Sequence, residues 1–290
     1  MSSIAQPLTW LVTGASSGIG QAICVAALAA GHKVAGATRD VAKASAANPD
    51  FAARGGIWVT LDPGHPDSAA AFAMTDRDLG GIDVLVNNAG YWYLAGVEDM
   101  SEALLRQQME VNFFGPMRGV RTLLPSMRSR GRGHIVLISS GAGFTGRPSR
   151  GAYASSKWAA EAMHECLSRE VGDKLGINVL IVEPGGFRTT FTSTGIVDSV
   201  NEAYKDTELD KALTLVSNFD EDGLDIYFKG DTAKAAQAIL NAVVDGHDGY
   251  FRLVLGPDCV AAMEQKIAEL QRDLDATRGV SMSTNLDRWA

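Results

Sequence analysis

Short apolar runs rich in β-forming residues alternate with helical stretches along this chain, and no other feature constrains its fold as much. One parallel strand follows another only through a crossover, usually a helix. The alternation therefore predicts an α/β protein with a Rossmann-type, doubly wound parallel sheet. Helices on both faces of that sheet would make three α/β/α layers. Neither a linker-like segment nor an internal repeat divides the sequence, so we expect a single domain over residues 1–290.

The strand-like runs span residues 8–13, 32–38, 56–61, 82–87, 134–139, 178–183 and 250–255. The helical stretches span residues 21–30, 67–79, 101–130 with an interruption near residue 112, 152–174, 231–244 and 258–277. In a sheet of this kind, ligands bind at the carboxyl ends of the strands. Glycines and polar residues follow several of the predicted strands, so we expect the functional site along that edge.

The octapeptide TGASSGIG, residues 13–20, follows the first predicted strand and leads into the first predicted helix. In that context backbone amides and the helix N-terminus can face a pyrophosphate, so the turn predicts dinucleotide binding. The residues expected to contact the cofactor here are Gly14, Ser16, Ser17, Gly18, Ile19 and Gly20.

Tyr153 and Lys157 are four residues apart in a predicted helix and therefore project from one face. Bringing a phenol from its reference pKa of about 10 to about 7 requires roughly 4 kcal/mol. A unit charge about 4 Å away, at an effective dielectric constant of about 20, supplies that amount. Lys157 alone is thus expected to make Tyr153 a proton donor near neutral pH. Any long amphipathic helix can carry this pair, so the pair by itself does not identify an enzyme.

Charge and cysteine content exclude several classes of function. The net charge is −8, and the basic cluster at residues 127–134 is short, so we expect no nucleic-acid partner. No run of about 18 apolar residues occurs, which predicts no membrane partner and a cytoplasmic location. The cysteines Cys24, Cys166 and Cys259 lack metal-ligand spacing, so we expect buried free thiols and no metal site.

Further motifs follow the glycine turn: NNAG at residues 87–90, Asn112 in EVNFFG, ISS at 138–140, YASSK at 153–157 and PGGFRT at 184–189. With this set in this order, the chain resembles the short-chain dehydrogenase/reductase family. The resemblance covers residues 8–189 and extends more loosely to the C-terminus.

The resemblance implies a catalytic tetrad of Asn112, Ser140, Tyr153 and Lys157. Tyr153 would exchange a proton with the substrate oxygen, and Ser140 would stabilise the charge that develops there. Lys157 would lower the pKa of Tyr153 and bind the nicotinamide ribose. Asn112 would anchor a water linked to Lys157, and it can also satisfy backbone groups at a helix bend.

The further cofactor contacts that the resemblance implies are Asp62, Asn88, Ala89, Gly90, Pro184 and Thr189, together with Tyr153 and Lys157. Asp62 would contact the adenine, although a carboxylate there can equally cap the loop near residue 67. Thr189 would bind the nicotinamide carboxamide, and the adjacent Thr190 competes for that role.

The end of the second predicted strand bears on the choice of nucleotide. NAD enzymes usually place a carboxylate there for the adenosine ribose hydroxyls, whereas this strand ends at Arg39. A guanidinium can pair with a 2′-phosphate, so we expect NADP(H). NAD(H) stays open because a one-residue shift of the strand end would place Asp40 there.

Residues 187–230 carry apolar side chains among polar ones and occupy the family's position for a substrate lid. A lid of this kind predicts a small-molecule carbonyl or alcohol substrate that is apolar and of medium or bulky size, with Tyr91, Trp92, Tyr93 and Phe144 as pocket walls. The same residues would suit core packing or a subunit interface equally well. The appended helix at 257–277 is longer than the tail of many members, and we expect a homo-oligomer, with a dimer favoured.

The sequence therefore predicts an NADP(H)-dependent reductase of a ketone or aldehyde that works reversibly as an alcohol dehydrogenase. The alternatives are a non-catalytic NADP-binding sensor or scaffold of the same fold, an NAD-dependent alcohol dehydrogenase, and a sugar-nucleotide epimerase or dehydratase. The complete tetrad counts against a sensor. The TGxxxGxG spacing and the length of 290 residues count against the epimerase class.

Overall fold

A seven-stranded parallel sheet forms the centre of the protein, as the computed structural model shows for residues 6–171, 173–218, 221–247 and 249–286. The strands in chain order are β1 Thr9–Thr13, β2 Lys33–Thr38, β3 Ile57–Thr60, β4 Val84–Asn87, β5 Tyr93–Leu94, β6 Gly133–Ile138, β7 Ile177–Pro184, β8 Ile196–Val197 and β9 Arg252–Leu255. The sheet order is β3-β2-β1-β4-β6-β7-β9, and every neighbouring pair is parallel. The predicted doubly wound α/β fold is confirmed.

The helices cover both faces of the sheet. They are α1 Gly18–Ala29, α2 Val41–Ala47, α3 Pro49–Ala53, α4 Ser68–Asp78, α5 Glu102–Met109, α6 Gly115–Arg130, α7 Gly151–Val171, α8 Glu208–Ser217, α9 Glu221–Tyr227, α10 Thr232–Val244 and α11 Pro257–Met282. A π-helical turn, Glu110–Phe114, joins α5 to α6 at the predicted interruption. Among the described helices, none has the combination of length and apolar character that a membrane span requires.

The two faces of β1 show how the layers are held together. Trp10 and Val12 point to the face covered by α1 and α10, whereas Leu11 points to the face covered by α4, α6 and α7. This alternation follows from the two-residue period of a strand. All three side chains are 0% exposed, and burying a large apolar side chain contributes about 1.5–3 kcal/mol. Strand β1 therefore buries apolar side chains on both of its faces, as a sheet covered by helices on both sides requires.

Several elements were not predicted. Helices α2 and α3 are short, and β5 pairs with β8 in a separate sheet of two residues per strand. Helices α8 and α9 lie in the 187–230 segment, of which residues 219 and 220 lie outside the described part of the chain. The prediction of buried thiols is correct for Cys24 and Cys259 and wrong for Cys166, which is exposed on α7. A helix leaves one side to solvent, and Cys166 falls on that side.

Two buried glutamates, Glu161 of α7 and Glu183 of β7, share one arginine on the last strand of the sheet, β9. Arg252 on β9 donates to Glu161 of α7 and to Glu183 of β7, and Ser139 Oγ also donates to Glu161. One guanidinium thus serves two buried carboxylates, and Glu183 Oε2 has no hydrogen-bond partner in the described structure. Burial, followed by the charge of Glu161, raises the pKa of Glu183 to about 7, and Arg252 opposes this shift.

We expect Glu183→Gln to stabilise the protein above neutral pH. The folded-state pKa of Glu183 lies above its unfolded value, so its contribution is present at low pH and is lost as pH rises through about 7. A glutamine stays neutral, accepts from Arg252 and donates to Glu161. The variant should therefore gain on the order of 1–2 kcal/mol over the wild type between about pH 5 and 8. Urea unfolding across that pH range measures the difference, and a constant difference with pH would contradict the assignment.

Candidate active site

The turn between β1 and α1 brings its backbone against two neighbouring loops at distances that glycine allows. A Cβ atom on Gly18, whose φ is +58°, would lie 3.1 Å from Cβ of Thr189. A Cβ atom on Gly20 would lie 2.6 Å from the carbonyl oxygen of Gly14 and closer still to the Asn88 amide nitrogen. The loops after β4 and β7 can therefore close against this turn because the side chains are absent.

The start of α1 is suited to an anion. Ser17 is the N-cap residue, but its side chain makes no capping hydrogen bond, so the first-turn amides receive no acceptor from it. Of the turn residues predicted to contact a cofactor, all except Gly20 line one large cavity at this edge of the sheet. Gly20 is buried and supports the turn from behind, against Asn88.

Asn88 ties the loop after β4 to the glycine turn. Its side-chain amide donates to the carbonyl oxygens of Thr13 and Gly14 at 2.8 and 3.1 Å. In return, Thr13 Oγ1 accepts from the backbone amides of Asn88 and Ala89, each at 3.0 Å. Ala89 and Gly90 are thereby held along the wall of the cavity, where the sequence placed them.

Tyr153 lies in the first turn of α7 and is 7% exposed. The Ser140 side chain lies near its phenol and lowers the phenol's pKa, and Ser140 Oγ accepts from the amide of Ala142 at 3.2 Å. The Phe191 ring packs beside it, with ring centroids 6.1 Å apart. Burial raises the pKa of Tyr153, and the Ser140 side chain and the positive charge of Arg150 oppose that rise.

Lys157 is one helical turn beyond Tyr153 and is also buried. Its Nζ donates to the carbonyl oxygen of Ile138 at 2.8 Å and lies 5.8 Å from the centre of the Tyr153 ring. Burial lowers the pKa of Lys157 to about 8, against the opposing charge of Glu161. The prediction that Lys157 alone brings the pKa of Tyr153 to neutrality is wrong here, because burial of the phenol outweighs the nearby charges.

Asn112 sits in the π-helical turn between α5 and α6 and is 1% exposed. Its amide donates to the Tyr91 carbonyl oxygen and to Ser156 Oγ, both at 3.0 Å, and its Oδ1 accepts from the Tyr91 amide at 3.2 Å. A Cβ atom placed on Gly90 would lie 3.1 Å from Asn112 Oδ1 and 3.8 Å from Lys157 Nζ. The structure thus brings Asn112 close to Lys157, while its side chain also satisfies the backbone at the helix bend.

A single cavity of about 1770 Å³ connects the glycine turn with Ser140, Tyr153 and Lys157. Of the predicted walls, Tyr91 and Trp92 line this cavity, whereas Tyr93 and Phe144 do not. Tyr93 is fully buried, with its hydroxyl bonded to Asp198. Phe144 packs against α11. Alternating strand residues face opposite sides, which separates Trp92 from Tyr93.

Residues 9–198, well over half of the chain, match the short chain dehydrogenase family. The chain belongs to the short-chain dehydrogenase/reductase family. It is 46% identical to oxidoreductase claN of Passalora fulva over 206 residues, which cover 71% of this chain and 94% of that protein. The structure of a short-chain dehydrogenase from Streptomyces avermitilis is 36% identical with a TM-score of 0.79, covering 98% of this chain and 100% of that one.

A Burkholderia phymatum short-chain dehydrogenase/reductase, solved in complex with NAD, shares the fold. It is 23% identical with a TM-score of 0.73, and the match covers 91% of this chain and 95% of that one. The protein described here is accordingly an oxidoreductase of the short-chain dehydrogenase/reductase family, with a single-domain Rossmann fold.

The loop after β2 forms the far end of the cavity in this short-chain dehydrogenase/reductase. Arg39 is exposed there and makes no hydrogen bond or ion pair with the described residues. Asp40 is engaged as the N-cap of α2, accepting from the Lys43 amide at 2.9 Å. Asp62 accepts from the Gly64 amide at 2.9 Å, a turn within its own loop, and lines the same cavity.

The loop after β7 places both competing threonines beside the glycine turn. Thr189 Oγ1 accepts from the Phe191 amide at 3.2 Å, and Thr190 Oγ1 donates to Ser17 Oγ at 3.0 Å. Pro184 ends β7 and lines the cavity together with both threonines. Thr189 packs on Gly18 and therefore lies at the start of α1. The sequence motif alone could not show this contact.

The sequence analysis missed several residues of the cavity, among them two arginines. Arg147 and Arg150 lie in the loop between β6 and α7 and line the same cavity as Tyr153. Arg150 precedes Tyr153 by three residues, and that spacing is the signal that could have found it.

A dinucleotide fits the groups that the chain presents. The glycine turn has room for phosphates where side chains would fill it, and uncapped helix amides face the same space. Arg39, in the loop after β2, lines the same cavity as Ser140 and Tyr153. A ribose and a carboxamide need hydrogen-bonding partners, and Lys157 and the two threonines after β7 can supply them.

Proposed function

We propose that this protein is an NADP(H)-dependent oxidoreductase that reduces a ketone or aldehyde to an alcohol, reversibly. The observation that carries the proposal is that Ser140 and the buried Tyr153 and Lys157 line one cavity together with the glycine turn. A proton donor, an oxygen-binding hydroxyl and a phosphate-binding turn in one cavity are the groups that carbonyl reduction requires.

In this mechanism, the nicotinamide supplies a hydride to the carbonyl carbon when the cofactor is bound. Ser140 donates a hydrogen bond to the substrate oxygen and fixes its position. Tyr153 transfers its phenolic proton to that oxygen as the negative charge develops, and burial, which raises its pKa, keeps it protonated. Lys157 binds the ribose side of the cofactor. While protonated, Lys157 also stabilises the phenolate that Tyr153 becomes after it has given up its proton. The same groups act in reverse during alcohol oxidation.

The choice of NADP(H) rests on the loop after β2. Arg39 has no partner among the described residues, whereas Asp40 uses its carboxylate to cap α2. The basic Lys43 lines the same end of the cavity. A 2′-phosphate could pair with the free guanidinium of Arg39, whereas the Asp40 carboxylate is already engaged. This arrangement favours NADP(H) over NAD(H).

Replacing Arg39 with glutamine is expected to raise the KM for NADPH by about 10–100-fold and to leave the KM for NADH within about twofold. The reason is that one charge-assisted contact to the 2′-phosphate is lost and nothing that NADH uses is changed. Steady-state kinetics with both nucleotides measures the effect. Arg77→Gln, which removes a surface arginine outside the cavity, is the matched control. Equal losses for NADPH and NADH would reject this assignment.

Apolar residues from the 187–230 segment support a substrate with an apolar body. Phe191, Leu215, Val216 and Ile226 line the cavity, and Phe191 packs on the Tyr153 ring. We infer that this segment acts as the substrate lid and that the substrate is a small-molecule carbonyl compound with an apolar body.

We also propose a cytoplasmic homodimer formed through the helices around α6 and α7. Phe114, Trp158 and Met163 are large apolar side chains that these helices leave exposed, at 47%, 45% and 39%. Exposed apolar clusters of this kind are typical of subunit interfaces.

The function is tested by following NADPH and NADH consumption with a panel of aldehydes, ketones, quinones and steroids. Loss of NADPH matched by the formation of an equal amount of alcohol would support the proposal. Tight NADPH binding without turnover of any substrate in the panel would favour the sensor or scaffold instead. A product with unchanged redox state would point to an epimerase or dehydratase.

A further inference from the structure

Arg150 binds nothing in the proposed carbonyl-reduction mechanism, although its charge lowers the pKa of Tyr153. Arg150, Tyr153 and Lys157 follow the i, i+3, i+7 spacing of one helical stripe, and all three line the same cavity. Arg150 directly precedes α7, and its carbonyl oxygen accepts from the Ala154 amide at 2.7 Å. The guanidinium and the phenol shift each other's pKa and line one cavity, so both can reach a single small ligand.

The Arg150 guanidinium has no hydrogen bond or ion pair with any residue in the described part of the chain, although it is partly buried. The nearest like charge is that of Arg147, in the same loop. Burial, followed by that charge, lowers the pKa of Arg150, and Tyr153 opposes this shift only in part. A cation at a helix N-terminus also opposes the helix dipole. Burial, repulsion and the dipole all disfavour a positive charge here, so an arginine at this position needs a compensating anion.

The carboxylates that line the cavity are engaged elsewhere. Asp40 caps α2, Asp62 accepts from the Gly64 amide, and Asp258 accepts from the Gly186 amide at 2.8 Å. Glu110 and Glu208 are paired with Arg118 and Lys211. The described part of the chain therefore supplies no carboxylate to Arg150 in this structure.

The loop that carries Arg150 is fixed. Ser149 is buried and has a φ of +68°, a conformation that costs a non-glycine residue about 1–3 kcal/mol. The Ser149 carbonyl oxygen accepts from the Ala95 amide at 3.0 Å, which ties this loop to the one after β4. The start of the Arg150 side chain is thus held in one place relative to Tyr153.

We propose that Arg150 binds an anionic group of the substrate, a carboxylate or a phosphate, within a few bonds of the carbonyl that Ser140 and Tyr153 hold. The inference rests on the proposed function and narrows its substrate to an oxo acid or an oxo phosphate with an apolar body. The planar guanidinium can hold either group through two parallel hydrogen bonds. Arg39 lies at the other end of the cavity, so Arg39 would bind the nucleotide and Arg150 the substrate.

The test measures binding separately from turnover. Wild type, Arg150→Gln and Arg150→Lys, each saturated with NADP⁺, are titrated calorimetrically with levulinate, methyl levulinate and hydroxyacetone phosphate. The oxidised nucleotide has no hydride to give, so each titration reports binding alone. Arg77→Gln, which removes an exposed arginine outside the cavity, serves as the charge-matched control.

We expect Arg150→Gln to weaken levulinate or hydroxyacetone phosphate binding at least about tenfold and methyl levulinate binding less than about twofold. Arg150→Lys should recover part of the loss because it keeps the charge without the planar fork. Tighter binding of hydroxyacetone phosphate would identify a phosphate, and tighter binding of levulinate a carboxylate.

Equal affinities in wild type and Arg150→Gln, or no measurable binding of either anion to the wild type, would overturn the inference. Failure of the proposed function looks different: anion binding would stay dependent on Arg150, while NADPH would remain unoxidised with all three compounds. If Arg150 acts on Tyr153 alone, reduction of methyl levulinate and levulinate would fall by the same factor, which would also overturn the inference.

Discussion

Tyr153→Phe is expected to lower kcat for carbonyl reduction by about 1,000-fold, because general acid catalysis contributes about 100- to 10,000-fold in enzymes of this kind. The ring of phenylalanine keeps the packing against Phe191, so what is lost is the phenolic hydroxyl with its proton. Nucleotide binding should change less than about twofold, since the glycine turn and Lys157 are untouched. Single-turnover kinetics and NADPH fluorescence titration separate the two quantities.

The matched control for this substitution is Tyr250→Phe. Tyr250 is 42% exposed and lies outside the cavity, so removal of its hydroxyl should leave kcat unchanged. Retention of more than about a tenth of wild-type kcat in Tyr153→Phe would be incompatible with Tyr153 as the proton donor. Loss of folding can be separated from loss of chemistry, because the thermal unfolding midpoint of the variant should stay near that of the wild type.

Much of the fold follows from local sequence. The apolar runs at 8–13 and 178–183 are too short and too rich in β-branched residues for helices, and each is followed by a glycine turn. Their alternation with helices leaves few parallel topologies. The bend near Asn112 was also predictable, and the structure resolves it as a π-helical turn. Strands β5 and β8 were not predictable, because two residues show no periodicity and their pairing joins segments about a hundred residues apart.

In the active site, the sequence predicts which side chains share a face but not their pKa values or hydrogen-bond partners. The spacing of Tyr153 and Lys157 predicts that the two side chains share a face, and they do so in the structure. Their pKa values depend on burial, which spacing does not report. The Lys157 ammonium donates to the carbonyl oxygen of Ile138. Ile138 lies on strand β6, not on the helix that carries Lys157. Likewise, the sequence favours Arg39 over Asp40 at the end of β2, and it does not show that the Asp40 carboxylate accepts from the Lys43 amide.

Gly20→Ala is expected to weaken nucleotide binding by about 10–100-fold, which corresponds to about 1.4–2.8 kcal/mol. The added Cβ would lie 2.6 Å from the Gly14 carbonyl oxygen and closer still to the Asn88 side-chain nitrogen. Asn88 would then lose its hydrogen bonds to the Thr13 and Gly14 carbonyl oxygens. The phosphate-binding turn and the loop at Ala89 are both held by those bonds, so they would shift together.

The same substitution is expected to lower the free energy of unfolding by about 1–3 kcal/mol, the usual cost of overpacking. Gly279→Ala is the control, because a Cβ on that residue of α11 meets nothing within 4 Å. In an exposed helix interior, alanine should instead add about 0.5–1 kcal/mol of stability and leave nucleotide binding unchanged. Isothermal titration with NADPH and urea unfolding, run on both variants, give the two quantities. Wild-type affinity in Gly20→Ala would show that the Asn88 bridge does not shape the turn, since binding would then tolerate its displacement.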